Sequence, residues 1–159
     1  MLEALDREGA RYVLIGGAAA AIAGSTHVTF DLDICPERTR PNLDRVAAAL
    51  RSLNAVLIGM PEEAVAAFQL DGTTLGNGSL WTFMTDHGEL DVILDPAGTQ
   101  GYKDFARNAM RTEVYGLTIL VAALEDVIRS KEAADRERDR AVLPNLRRAV
   151  EIRRENEAG

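Results

Sequence analysis

The sequence has very little cysteine: Cys35 is the single thiol among 159 residues. An internal disulfide needs two cysteines and is therefore excluded. A chain with one cysteine fits a reducing compartment, and we expect this protein to act in the cytoplasm. A free cysteine commonly behaves as a small apolar residue. Because Cys35 follows Ile34 in an apolar segment, we predict a buried core residue rather than a nucleophile.

Long apolar runs are also missing. No run reaches the roughly 18 residues that a membrane-spanning helix requires, so no membrane association is expected. Segment 12–24 is apolar enough to resemble the core of a secretion signal. Its leader carries Glu3, Asp6 and Glu8 against two arginines, however, whereas a signal begins with basic residues. We therefore expect segment 12–24 to belong to the folded protein.

An excess of positive charge is lacking as well, since the formal net charge is −7 at pH 7. Residues 1–124 hold 16 acidic and 9 basic residues, and residues 125–159 hold 9 of each. A protein that coats nucleic acid needs a basic face, so the excess of acidic residues argues against this class. One specific RNA contact through the C-terminal arginines stays open. Those arginines alternate with glutamates, which is typical of a solvated helix.

Short apolar segments alternate with helical patterns along the chain. Segments 11–15 and 30–35 have the composition of strands, and segments 80–85 and 89–94 flank a turn, which is typical of a β-hairpin. Strands are also predicted over 55–58, 111–115 and 117–121; helices over 2–8, 18–23, 41–53, 61–68, 102–106 and 123–135; and a loop over 71–79.

The C-terminal part is predicted to be helical. Proline is tolerated in the first turn of a helix but disrupts its interior. We therefore predict a break near Leu143 and a last helix from about Pro144 to Asn156. The order of the elements predicts an α+β fold, with an α/β core in residues 1–122 and a helical part packed on it in residues 123–159.

Two glycines and three aspartates point to a functional site. Gly16 and Gly17 form a predicted strand-to-helix turn, whose backbone N–H groups can approach phosphate oxygens. Asp31 and Asp33 alternate along one predicted strand and therefore share a face of it. Asp91 lies in the middle of a later strand. We expect the fold to bring these three carboxylates together beside the glycines.

Carboxylates held close together repel each other, and a divalent cation relieves this repulsion. Mg²⁺ takes oxygen ligands and is usually bound through one or two carboxylates plus substrate phosphates. We therefore predict that Asp31, Asp33 and Asp91 bind Mg²⁺ (or Mn²⁺) together with a nucleoside triphosphate (NTP).

The order of these features resembles the nucleotidyltransferase superfamily that includes DNA polymerase beta. More narrowly, it is similar to the bacterial minimal nucleotidyltransferase-like proteins related to the AbiEii toxins of type IV toxin–antitoxin systems. The residues that carry the resemblance are Gly16-Gly17, Thr29-Phe30-Asp31-Leu32-Asp33, Asp91 in Gly88-Glu89-Leu90-Asp91-Val92, Leu124-Glu125-Asp126-Val127-Ile128, Lys131, Arg136, Asp139 and Leu143-Pro144.

The resemblance implies a small mixed β-sheet flanked by helices, with a C-terminal helical part. It implies metal-dependent transfer of a nucleoside monophosphate from NTP to an acceptor hydroxyl of tRNA or protein, with release of pyrophosphate. The enzyme would be a toxin with a cognate antitoxin protein. Asp31 and Asp33 would hold metal, and Asp91 would hold a second metal and help to activate the acceptor. The implied nucleotide-binding residues are Gly16, Gly17, Thr29, Lys131 and Arg136.

The sequence departs from this family in one loop. Relatives often carry an arginine just before the Thr-x-Asp-x-Asp segment, where this chain has Ser25, Thr26 and His27. His27 is a candidate phosphate contact in its place. Trp81 is a candidate for stacking on a nucleotide base, but its position on a strand favours a core residue, and Asp139 is predicted to pair with a neighbouring arginine. Two other functions stay open, namely nucleotidyl transfer to a small molecule such as an antibiotic, and nucleotide binding without turnover in a regulatory protein.

Overall fold

A computed structural model describes residues 1–26 and 28–159. Seven strands lie in this part of the chain, and all seven belong to one sheet. They are β1 (Tyr12–Ile15), β2 (Leu32–Pro36), β3 (Val56–Ile58), β4 (Leu80–Thr85), β5 (Gly88–Ile93), β6 (Met110–Val114) and β7 (Leu117–Val121).

Helices make up most of the remaining described residues. They are α1 (Leu2–Arg7), α2 (Gly16–Ile22), α3 (Arg40–Ser52), α4 (Glu62–Ala67), α5 (Gly72–Gly76), α6 (Tyr102–Asn108), α7 (Leu124–Ala134) and α8 (Glu137–Ala158). Among the described residues, no helix has both the length and the apolar character needed to cross a membrane.

The sheet is mixed, with the strand order β3-β4-β5-β2-β1-β7-β6. The pairs β2–β5 and β1–β7 are parallel, and the other neighbours are antiparallel. The hairpin β4–β5 forms as predicted, and the two strands predicted over 111–115 and 117–121 pair with each other as β6 and β7. The expected α+β class, with a mixed sheet and helices at the C-terminus, is confirmed.

The two faces of the sheet differ in how they are covered. On one face, Phe83, Leu90 and Val92 are fully buried, and α3 and α5 lie in the same core cluster. On the other face, the half around β1 is also buried, as Val13 and Ile15 show. On that second face, the half formed by β3, β4 and β5 carries the exposed side chains of Val56, Leu80 and Met84. This half adjoins the site described below.

The prediction of a loop over 71–79 is wrong, because α5 forms within it. The carboxylate of Asp71 accepts a hydrogen bond from the backbone N–H of Thr74 at 2.8 Å and caps the helix. The buried side chain of Leu75 then holds this short helix against α3. A single buried apolar residue is too weak a periodic signal to reveal a five-residue helix in sequence.

The predicted break near Leu143 is also wrong, because α8 continues through Pro144. Proline has no N–H, so the carbonyl group of Arg140 loses its partner within the helix. Both residues are exposed, so water can satisfy that carbonyl group. Leu143 and Leu146, on either side of the proline, are buried and keep the helix packed.

Strand β2 begins later than predicted, at Leu32 rather than Phe30. Leu32 is the first residue that pairs with β5, through Leu90. In the described part of the chain, Phe30 is not paired in the sheet, and it is 89% exposed. Asp31 therefore lies just before the strand, and strand alternation does not fix its direction.

Candidate functional site

One cavity of about 620 Å³ lies where the ends of β1 and β2, the strand β5 and the helices α7 and α8 meet. All eight residues that the sequence singled out as catalytic, metal-binding or nucleotide-binding line it: Gly16, Gly17, Thr29, Asp31, Asp33, Asp91, Lys131 and Arg136. The fold thus brings together residues from four separate parts of the chain.

The two glycines at the start of α2 leave space for other site residues. Gly16 has φ +66°, and a Cβ atom on it would overlap the carboxylate of Asp33, lying 2.7 Å from Cγ. A Cβ atom on Gly17 would lie 2.7 Å from Cβ of Thr29. The backbone N–H of Gly17 donates to the carboxylate of Asp33. We expected these N–H groups to approach phosphate, but in the structure this donor holds Asp33.

Asp33 and Asp91 are directly paired in register across the parallel strands β2 and β5. Their side chains point to the same face of the sheet, because register partners on adjacent strands share a face. Burial, followed by the charge of Asp91, raises the pKa of Asp33 from 3.8 to about 7. Lys131 and the Gly17 N–H act in the opposite direction. The site therefore holds negative charge that its own residues neutralise only in part.

The oxygen atoms of this pair suit a hard divalent cation. Oδ1 of Asp91 is buried and, among the described residues, has no hydrogen-bond partner. Such an orphaned carboxylate oxygen is unfavourable unless a cation or water binds it. Mg²⁺ is often bound by one or two carboxylates plus substrate phosphates, which Asp33 and Asp91 can provide. Within residues 1–26 and 28–159, no three His, Cys, Asp or Glu side chains are close enough together to form a metal site on their own.

Asp31 occupies the same cavity from the loop before β2. Its backbone N–H lies 3.4 Å from Oγ1 of Thr29, which is at the long limit for a hydrogen bond. Thr29 thus packs against Gly17 and supports the backbone at Asp31. The structure places Asp31 near the pair as a separate carboxylate.

Lys131 lies on the helical wall of the cavity. Its Nζ donates to Oδ1 of Asp139 at 3.0 Å, and the Asp139 side chain is only 7% exposed. Arg136 Nε is 4.0 Å from Oδ2 of Asp139, too far for a hydrogen bond. Asp139 was predicted to pair with an arginine; the ion pair with Arg136 confirms this, and a second, shorter contact is made with Lys131. This pair links α7 to α8 and holds the lysine where it lowers the pKa of Asp33.

Sequence reasoning missed two residues here. Arg138 lines the cavity and, in the described part of the chain, makes no ion pair, although its charge acts on Glu89. Asn145 donates to Oγ1 of Thr26 and accepts from Oγ of Ser25, both at 2.8 Å, which ties the loop after α2 to α8. Only the proximity of Arg138 to Lys131 and Arg136 in sequence could have suggested it, and no local signal marks Asn145.

Trp81 does not line the cavity, and His27 cannot be placed relative to it. Trp81 pairs in register with Val92, on the face opposite Asp91. Its Nε1 donates to the carbonyl group of Leu75 at 2.9 Å, and its ring packs on Phe68. Trp81 was predicted to be a core residue; it is half-buried and packs against the core. His27, a candidate phosphate contact, lies outside the described residues.

The comparisons with known proteins leave the site to be judged on its geometry. No protein-family model matches the chain, and no curated protein matches it.

Proposed function

We propose that this protein is a metal-dependent nucleotidyltransferase, which moves a nucleoside monophosphate from NTP to an acceptor hydroxyl and releases pyrophosphate. The observation that carries the proposal is the register pairing of Asp33 with Asp91 in a cavity that Lys131 also lines. Two adjacent carboxylates with a cation opposite them are suited to a metal–triphosphate ligand.

The bond changes define what the residues must do. The acceptor oxygen bonds to the α-phosphorus of NTP, the bond from that phosphorus to the bridging oxygen breaks, and pyrophosphate leaves with the electron pair. The hydroxyl proton is lost to solvent. This chemistry asks the protein mainly for positioning and charge neutralisation.

Asp33 and Asp91 would hold Mg²⁺ or Mn²⁺, with Asp31 as a further ligand, and the ion would neutralise charge on the phosphates. Lys131, Arg136 and Arg138 line the same cavity and supply positive charge for the triphosphate. Lys131 keeps a fixed position through its contact with Asp139. Gly16 and Gly17 have no side chains to fill the space beside Asp33 and Thr29, so the carboxylates stay accessible.

The partners follow from the resemblance. The acceptor would be tRNA or protein, and a cognate antitoxin protein would control the enzyme. These partners are part of the proposal and rest on the resemblance alone.

The test is transfer of label from α-labelled NTP in the presence of Mg²⁺, with a cell extract as the source of acceptors. We expect label on a macromolecule for the wild type and a loss of at least about a hundredfold for Asp33→Asn and for Asp91→Asn, because each change removes a charge that stabilises the transition state. All four NTPs should be tried in turn.

The matched control is Asp86→Asn, which changes an exposed carboxylate in the turn between β4 and β5. This variant should retain wild-type transfer. If the wild type binds NTP but transfers no label while a known nucleotidyltransferase does so in the same extract, the protein is a nucleotide-binding protein without turnover. Equal activity in Asp33→Asn and the wild type would contradict the proposed site.

A further inference from the structure

An apolar surface runs from Asp91 to the free edge of the sheet. We call it the open stripe, and its side chains share the face of Asp91 by strand alternation and register. Three of its members are large and well exposed, namely Val56 at 57%, Leu80 at 46% and Met84 at 44%. The open stripe consists of Val56, Ile58, Leu80, Thr82, Met84 and Ile93.

The open stripe is continuous with the cavity. Leu80 and Ile93 line the cavity and are register partners of each other. Met84 on β4 and Val56 on the edge strand β3 are also register partners. Adjacent apolar side chains exposed beside a candidate catalytic centre indicate a binding surface rather than scattered surface residues.

The charges on the strands that form the open stripe argue against nucleic acid as its partner. The strands β3, β4 and β5 contain no lysine or arginine, but they contain Glu89 and Asp91. Nucleic acid needs basic residues along its backbone path; the three strands carry none, and the nearby Arg138, whose charge acts on Glu89, belongs to the cavity. An apolar and acidic surface is complementary to a polypeptide with apolar and basic side chains.

The dimensions suit an extended segment. Neighbouring strands lie about 4.8 Å apart, and Val56 on β3 is in register with Glu89, two residues along β5 from Asp91, so Val56 is roughly 12 Å from Asp91. An extended chain advances about 3.3 Å per residue. A residue about three positions from an acceptor side chain near Asp91 would therefore lie on Met84 and Val56.

We propose that the open stripe binds an extended polypeptide with apolar and basic side chains, and presents its Ser, Thr or Tyr hydroxyl to the cavity at Asp91. The acceptor is then a protein. This inference rests on the proposed function and specifies its substrate class. The bond changes are those given above: the side-chain oxygen gains the nucleotidyl group, pyrophosphate leaves with the electron pair, and the proton goes to solvent.

The first experiment measures binding without NTP or metal. The probes are fluorescein-labelled peptides with a central Ser, Thr or Tyr and with Leu and Arg at alternate positions; matched peptides carry Glu in place of Arg. We expect the Arg peptides to bind at least about tenfold more tightly than the Glu peptides, a difference of roughly 1.4 kcal/mol. Met84→Lys should weaken the binding of Arg peptides at least about tenfold by charge repulsion, whereas Met84→Glu should not weaken it.

The control is Met110→Lys. Met110 lies on β6 at the opposite edge of the same sheet and is 46% exposed, close to the 44% of Met84. The two variants have the same net charge, so a general electrostatic effect would change both equally. Weaker binding by Met84→Lys alone locates the peptide on the open stripe.

The second experiment follows label from α-labelled NTP into peptides and into total tRNA. Label on Arg peptides that is reduced in Met84→Lys supports the inference. Label on tRNA that is unchanged or increased in Met84→Lys overturns the inference and leaves the proposed function standing. No label on either acceptor overturns both, even if peptides bind.

Binding of a second copy of the chain to the open stripe is the remaining alternative to test. If the wild type is a dimer by light scattering and Met84→Lys is a monomer, the open stripe is a subunit interface and the inference is overturned. A mass that is the same for both proteins, together with weaker peptide binding by Met84→Lys, supports it.

Discussion

The carboxylate of Asp33 lies in the space that a side chain on Gly16 would fill, since a Cβ atom there would lie 2.7 Å from Cγ of Asp33. The glycine directly follows β1 and begins α2, and the aspartate lies on the neighbouring strand β2 at the position paired with Ile15. The position of the carboxylate in the cavity therefore depends on the absence of a side chain beside it.

Gly16→Ala should displace Asp33 and weaken Mn²⁺ binding at least about tenfold, or roughly 1.4 kcal/mol. The matched control is Gly9→Ala, because Gly9 has φ +65° against +66° at Gly16 but would have no atom within 4 Å of its Cβ. Both variants should lose about 1–2 kcal/mol of unfolding free energy from the left-handed backbone. Urea denaturation and calorimetric Mn²⁺ titration measure the two effects. Equal Mn²⁺ affinity in both variants would refute the steric role of Gly16.

The raised pKa of Asp33 predicts how stability depends on pH without metal. Because this pKa is about 7 in the folded protein and about 3.8 when unfolded, the folded state favours the protonated form. The contribution of Asp33 is fully present below about pH 3.8 and is lost as pH rises through about 7. The unfolding free energy of the wild type should thus fall relative to Asp33→Asn across this window.

Urea denaturation of the wild type and Asp33→Asn, with a metal chelator present and at several pH values, measures the difference between their unfolding free energies. The contributions of the other titrating groups are the same in both proteins and cancel in this difference. Saturating Mg²⁺ should remove the fall, because a bound cation favours the charged carboxylate. A difference that stays constant from acidic to neutral pH would show that Asp33 keeps an ordinary pKa.

The contact between Lys131 and Asp139 should contribute to stability as a largely buried ion pair. Asp139→Asn leaves Lys131 without its counter-charge, and the Lys131 side chain is only 22% exposed. We expect a loss of about 2 kcal/mol in unfolding free energy, which is less than for a fully buried pair. The control is Asp135→Asn, since Asp135 pairs with Arg140 at 2.9 Å and is 70% exposed. Exposed pairs contribute only about 0–1 kcal/mol, so equal losses would argue against the buried pair.

Replacement of Pro144 should stabilise α8. Pro144→Ala restores a backbone N–H for the carbonyl group of Arg140, and proline is about 3 kcal/mol less favourable than alanine inside a helix. We expect a gain of about 1–3 kcal/mol. Pro41→Ala is the control, because Pro41 lies in the first turn of α3, where proline is tolerated. Loss of stability in Pro144→Ala would mean that the proline orients Asn145 toward Ser25 and Thr26.

Local features of the fold could be predicted where one short segment carries the signal. The hairpin that contains Asp91 is such a case, since two apolar strands flank a tight turn, and the strand-to-helix turn at Gly16 is another. Cys35 was correctly expected in the core, where it is fully buried. Helix α5 and the passage of α8 through Pro144 could not be predicted in this way. In both elements, packing against neighbours outweighs the local preference of the residues.

The sequence by itself determined which residue types are available: two adjacent glycines, alternating aspartates, and strands β3, β4 and β5 without a basic residue. Only the tertiary structure decided that β2 lies beside β5, and so that Asp33 faces Asp91. It also decided that one half of this sheet face is buried, whereas Val56, Leu80 and Met84 of the open stripe stay exposed. Strand order and helix placement depend on contacts between distant segments, and no local pattern of residues encodes them.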